Sequence, residues 1–199
     1  MRMPLFLKTP FLRRDLLVRT SMLSVAGVAV LAGMSPKALA ADAISAPSAP
    51  HQDVDILNEI LGTEYEGIGA YQIFIDGGLF QPDMLKLARL FQGHHKEHRD
   101  VLTSNIREMG GVPATAKTND HYALDLNTAA IKTQESALQL VVKLELGVAN
   151  SYLEMLPSTH GRELAKTAGR IAADEVMHWT TFTRALQEAL PPHAMSFGV

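Results

Sequence analysis

The chain has 199 residues, 47% of them hydrophobic and 20% charged, the proportions of one globular domain rather than two. It contains no Cys, which excludes disulfide scaffolds, thiolate zinc sites, iron–sulfur clusters and cysteine nucleophiles, so any metal must be held by His and carboxylates. The formal charge of −3 hides an asymmetry: residues 1–40 carry six basic groups (Arg2, Lys8, Arg13, Arg14, Arg19, Lys37) and one acid, Asp15, leaving 12 basic against 20 acidic residues in the remainder. A body with a charge of −8 argues against nucleic acid as a partner, because phosphate contacts need clustered Lys and Arg.

Residues 1–40 read as an export address. Arg13 and Arg14 precede an apolar run, Met22 to Met34, of only 13 residues with two glycines, too short to anchor a protein in a bilayer. Ala38-Leu39-Ala40 then places small residues where a signal peptidase needs them. The paired arginines and weak apolar core resemble twin-arginine signals, with Leu12 where that pattern has Ser or Thr; an ordinary secretory signal is the alternative. The resemblance implies passage of a folded protein through the export machinery to a periplasmic or otherwise exported location. Residues 41–52, rich in Ala, Ser and Pro, read as a flexible linker. No later apolar run reaches 18 residues, so the mature protein is expected to be soluble.

After Pro50 the apolar residues recur at three and four, the period of amphipathic helices. The first is expected over about Asp53–Leu79, closing at Asp76-Gly77-Gly78, and the second from Pro82 to Gly110-Gly111. The third should begin near Asn127-Thr128 and stop at Pro157; the fourth should begin near Ser158 to Gly161 and be cut off by Pro191-Pro192, leaving a tail over 191–199. Each is near 27 residues, roughly 40 Å at 1.5 Å per residue. The short first and last connections make antiparallel hairpins, whereas Gly111 to Leu126 is long enough to cross the bundle. The fold class is therefore all-α: a four-helix bundle over 53–190, built of two hairpins joined by a long crossover, the connectivity of ferritin-like bundles.

Several ionisable residues fall on the apolar stripes of these helices. At 100° per residue Glu64 centres on Leu57, Ile60, Leu61, Ile68, Tyr71 and Ile75, and Glu145 has the same setting between Leu138 and Leu156. Glu175 and His178 lie among Leu164, Ala168, Ile171, Ala172, Phe182 and Leu186, and His95 and His98 among Leu87, Phe91, Leu102 and Met109. Three carboxylates in an apolar interior with no inward Lys or Arg need cations, and bound metal is the expected source. Imidazole plus carboxylate without thiolate suits iron, manganese or zinc, and residues three apart on a helix can converge on one ion.

The chain also repeats itself. Leu61 to Tyr71 matches Val142 to Tyr152, each with a Glu and a Tyr seven apart (Glu64/Tyr71, Glu145/Tyr152). Glu64 to His98 spans 34 residues and Glu145 to His178 spans 33. A pseudo-twofold axis would set Glu64, His95 and His98 opposite Glu145, Glu175 and His178, and simple core packing gives no reason to duplicate polar residues.

These residues resemble the ferritin-like superfamily of bacterioferritins, rubrerythrins and exported ferritin-like proteins, over about residues 53–190. That superfamily's site takes one Glu from each of two helices and a Glu-x-x-His from each of the other two. Glu64 and Glu145 match the single glutamates, Glu175-Val176-Met177-His178 one paired motif and His98 the second histidine, while His95 stands where the pattern has Glu. The resemblance implies a di-iron or manganese centre engaged in redox chemistry with dioxygen or peroxide, and leaves room for a homo-oligomer. In it Glu64 and Glu145 would be terminal or bridging ligands, Glu175 a bridge, and His95, His98 and His178 terminal ligands. Non-enzymatic metal storage and a structural bundle with a degenerate site are the alternatives. His94, about 40° from His98 on the wheel, is placed as a ligand or a support for one, and Glu97, about 100° away, as a surface residue. Tyr71 and Tyr152 are read first as space-filling aromatics, with hydrogen bonding to the carboxylates as the alternative, and the glycines Gly62, Gly67, Gly69 and Gly147 as points of close helix approach. His51, His121, His160 and His193 are read as solvated.

Overall fold

The computed structural model describes residues 49–198, and the expected export signal and most of the linker lie outside them. Five α-helices form: α1 (Ala49–Asp76), α2 (Pro82–Glu108), α3 (Asn119–Asp125), α4 (Gln134–Met155) and α5 (Arg162–Ala185), with no strand among the described residues. None of these helices is long and apolar enough to cross a membrane. α1 packs along α2 and α4 along α5 as two hairpins; α1 also lies against α4 and α3, while α2 and α5 touch only lightly.

Local chemistry sets the helix ends. Gly78 (φ +65°) and Gly110 (φ +78°) take the left-handed conformation that terminates α1 and α2, with Leu79 N–H donating back to the Phe74 carbonyl and Gly111 N–H to that of Ile106. α4 starts seven residues after the expected Asn127. Asn127 itself turns left-handed (φ 49°), Thr128–Ala130 make one 3-10 turn, and Thr133 and Ser136 then cap each other reciprocally. α5 stops at Ala185, well before Pro191, because Gln187 adopts φ 60° and Glu188 N–H donates to the Thr183 carbonyl. α1 in turn begins at Ala49, four residues before the expected start.

The crossover is not bare loop. α3 lays the buried Tyr122 ring on α1 at Gly69, where a Cβ would come within 2.5 Å of the ring. Gly67 likewise lets the His95 ring approach α1, at 3.4 Å from where a Cβ would stand. Gly62 and Gly147 face open space, so the expected close approach holds for only two of the four glycines.

The core has three strata. At one end Leu57, Ile60, Leu61, Leu102, Ile106, Tyr152 and Ile171 pack together. At the other, Ala70, Tyr71, Phe74, Phe91, Leu138, Val141 and Phe182 do so. Each of the four long helices supplies both clusters and, between them in sequence, one or two buried Glu or His residues. The polar layer is thereby sealed between two apolar plugs.

Candidate metal centre

That layer contains Glu64 from α1, His95 and His98 from α2, Glu145 from α4, and Glu175 and His178 from α5, all buried, with Glu64, Glu175 and His178 at 0% exposure. All six side chains singled out by spacing are therefore gathered in one place. They form two groups of four whose ligand atoms lie within 4.8 Å of one another: Glu64, His95, His98 and Glu175, and His95, Glu145, Glu175 and His178. Two residues are shared, and each faces both groups. Glu175 sets Oε1 2.8 Å from His98 Nδ1 and Oε2 3.2 Å from His178 Nδ1. His95 sets Nδ1 2.7 Å from Glu64 Oε2 and Nε2 3.3 Å from Glu145 Oε1.

The tyrosines are more than filling. Tyr152 OH donates to Glu64 Oε1 at 2.6 Å, and Tyr71 OH donates to Glu145 Oε1. Each tyrosine of the repeat thus serves the glutamate of the other hairpin, which explains the duplicated seven-residue spacing. Burial and the neighbouring carboxylates push both phenols well above their ordinary range, so they remain neutral donors.

Outside the six, two polar residues reach the candidate ligand histidines from the α2–α5 seam. Asp174, the residue before Glu175, places Oδ2 3.4 Å from His98 Nε2. His94, the residue before His95, places Nδ1 2.9 Å from His178 Nε2. His94 is therefore a support rather than a member of either group of four, and Asp174 went unnoticed in the sequence although its Asp-Glu pairing mirrors His94-His95. Glu97 is exposed, as expected. His160 is exposed, as expected, and also caps the end of the bundle: its backbone N–H and Nδ1 lie 3.1–3.2 Å from the buried Asp53 carboxylate. His121 pairs with Asp125 at 3.1 Å.

The three carboxylates lie among three imidazoles, which are a second source of positive charge beside a metal ion. Burial alone would raise Glu64, but hydrogen bonds with His95 and His98 outweigh it and hold the carboxyl down at about 2. Glu145, despite its burial, is held well below the carboxylate range by His95 and His178. Burial would lower His98, yet its contacts with Glu175 and Glu64 push it up to about 10; His95 and His178 are raised for the same reason. Burial raises Glu175, and both burial and His178 lower His94.

The donor set nevertheless fits a metal. His98 Nδ1 and Glu175 Oε1 are 2.8 Å apart, buried and without a well-aligned hydrogen bond, and both residues belong to the first group of four. Four carboxylate or imidazole donors per group, free of thiolate, is the ligand chemistry of first-row divalent ions.

The ferritin-like domain family matches residues 52–188, and the chain belongs to it. In structure the chain is similar to a conserved hypothetical protein from Mycobacterium tuberculosis, with TM-score 0.63 and 20% identity over 74% of this chain and 98% of that one. It is also similar to a ferritin-like, diiron-carboxylate protein from Bacillus anthracis, with TM-score 0.61 and 18% identity over 71% and 99% of the two chains. No curated protein matches it in sequence. The ferritin-like bundle expected from connectivity is the fold observed.

Proposed function

We propose that this is an exported ferritin-like protein that binds redox-active metal, iron or manganese, in the two half-sites of the buried layer and handles dioxygen or peroxide there. The observation that carries the reading is the division of six inward ligands into two groups of four sharing His95 and Glu175. The description of the Bacillus anthracis structure as a diiron-carboxylate protein supports iron. Bound metal would supply the electron exchange with the oxidant. Glu64, His95, His98, Glu145, Glu175 and His178 would hold it, Tyr71 and Tyr152 would fix the two glutamates in orientation, and the apolar clusters above and below would exclude bulk water. α2 and α5 touch only lightly, and half-buried His94 and Asp174 lie at that seam. Export by the twin-arginine route is part of the proposal and rests on Arg13-Arg14 and Ala38-Leu39-Ala40.

The charge balance favours a second reading, a structural bundle whose layer holds protons in place of metal. Metal analysis and an absorption spectrum of the purified protein separate the two. The leading reading requires bound iron or manganese that is lost in Glu145→Ala; a metal-free protein that melts at one temperature with and without iron removes it.

A further inference from the structure

This inference rests on the metal-binding reading and divides its half-sites. Glu175 serves both because an ionised carboxylate has two oxygens, each with lone pairs. On α2 the equivalent position is His95, and it also faces both ways. A neutral imidazole, however, carries one lone pair and one N–H, on different nitrogens. Whichever nitrogen accepts an ion, the other points a proton into the opposite half. Both single glutamates already receive a tyrosine hydroxyl, so the halves differ in what His95 offers them. Its Nδ1 lies 2.7 Å from Glu64 Oε2, a full-strength hydrogen bond, while Nε2 lies 3.3 Å from Glu145 Oε1. When the ring gives up a proton to bind an ion, the proton it keeps therefore belongs on Nδ1 and the lone pair on Nε2.

We propose that His95 makes the centre unequal. One ion is held tightly by Glu145, Glu175 Oε2, His178 and His95 Nε2. The other half keeps three donors, Glu64, His98 and Glu175 Oε1, and one of these is tied up by the His95 N–H, so a second ion binds there more weakly.

The test is a cobalt(II) titration of the chelator-treated protein, followed by calorimetry and by the visible spectrum. Wild type should take one tight equivalent and a second at least about tenfold weaker, the scale on which a lost ligand contact acts. His95→Glu should bring the two equivalents to within about threefold, since a carboxylate can serve both ions. Glu145→Gln should abolish the tight equivalent and Glu64→Gln should leave it; both are isosteric, and they decide the matter if His95→Glu does not fold. Two equal equivalents in wild type, or a tight ion lost with Glu64 and kept without Glu145, overturn the inequality while leaving metal binding intact. Cobalt binding to none of the chains removes the metal reading itself, and this proposal with it.

Discussion

A buried layer that balances three carboxylates with three imidazoles should give the metal-free protein an unusual pH profile. His98 moves from an ordinary 6.5 to about 10 on folding. The folded state therefore holds a proton that the unfolded chain has released, and the stabilisation this brings is complete below pH 6.5 and lost as pH rises toward 10. One such proton costs about 1.4 kcal/mol per pH unit, so this group alone should lower stability by about 2.5 kcal/mol between pH 7 and 9. His95 and His178, raised by the same carboxylates, steepen the slope, and Glu175, raised by burial, pulls the same way from above 4.5. On the acid side Glu64, held at about 2, contributes on the order of 3 kcal/mol that is present above 4.5 and disappears as pH falls toward 2. His98 and Glu64 share contacts, so their contributions do not add. The optimum belongs between about pH 4.5 and 6.5.

Urea unfolding of chelator-treated protein at pH 5.5, 7, 8 and 9 measures this directly. Saturating manganese(II) supplies the contrast: metal displaces the imidazole protons, folded and unfolded states then bind similar numbers, and the curve should flatten above pH 7. A metal-free protein whose stability stays within about 0.5 kcal/mol from pH 6.5 to 9 would refute the charge-balance argument.

Three further outcomes follow from single contacts. Tyr152→Phe removes the hydroxyl on buried Glu64 and should cost about 1.5–3 kcal/mol in urea unfolding at pH 6; a loss under about 0.5 kcal/mol would return Tyr152 to space-filling. Gln187→Gly relieves a left-handed residue at the end of α5 and should gain about 0.5–1 kcal/mol, raising the melting temperature by a few degrees. Gly69→Ala drives a methyl into the Tyr122 ring and should cost about 1–3 kcal/mol, much of it recovered in a Tyr122→Ala background; equal costs in both backgrounds would show that the crossover does not press on α1 there.

The bundle was legible because period, helix breakers and loop length all point one way. The six site residues were legible because ionisable groups on apolar stripes are rare enough to stand out. Helix ends were less so: Asn127 and Gln187 adopt left-handed geometry that residue type alone does not announce, and α3 is too short to carry a periodic signal. The tyrosines were visible as a repeat, and a hydrogen bond to a carboxylate as one use for them, but which glutamate each serves was hidden because each hydroxyl reaches the opposite hairpin, a relation that sequence spacing within one helix cannot express. A helical wheel registers Lys and Arg as cations and treats His as neutral, so the imidazoles do not stand out there as counter-charges, whereas a carboxylate at 2.7–2.8 Å decides otherwise.

The pseudo-symmetry reaches beyond the ligands. His98 Nε2 meets the Asp174 carboxylate, whereas His178 Nε2 meets the His94 imidazole, so α2 carries His94-His95 where α5 carries Asp174-Glu175. A ligating histidine ordinarily passes its outer N–H to an acceptor that fixes its tautomer and orientation. Burial and the His178 charge lower His94, which keeps it neutral at pH 7 and lets its Nδ1 accept the His178 Nε2 proton, leaving His178 Nδ1 free toward Glu145 and Glu175. His94 thus stands in for a carboxylate as an acceptor without its charge. Replacing it by Ala deletes the acceptor at a half-buried position, so metal affinity should fall about tenfold while the stability of the metal-free protein changes by under about 1 kcal/mol. His94→Asp should restore the affinity, and in the metal-free protein should raise the titration of the His178 ring seen by NMR, because an anion then faces its outer nitrogen. Unchanged affinity in His94→Ala would mean that His178 is held by its stacking on Phe91, at 4.1 Å between ring centres, and needs no acceptor.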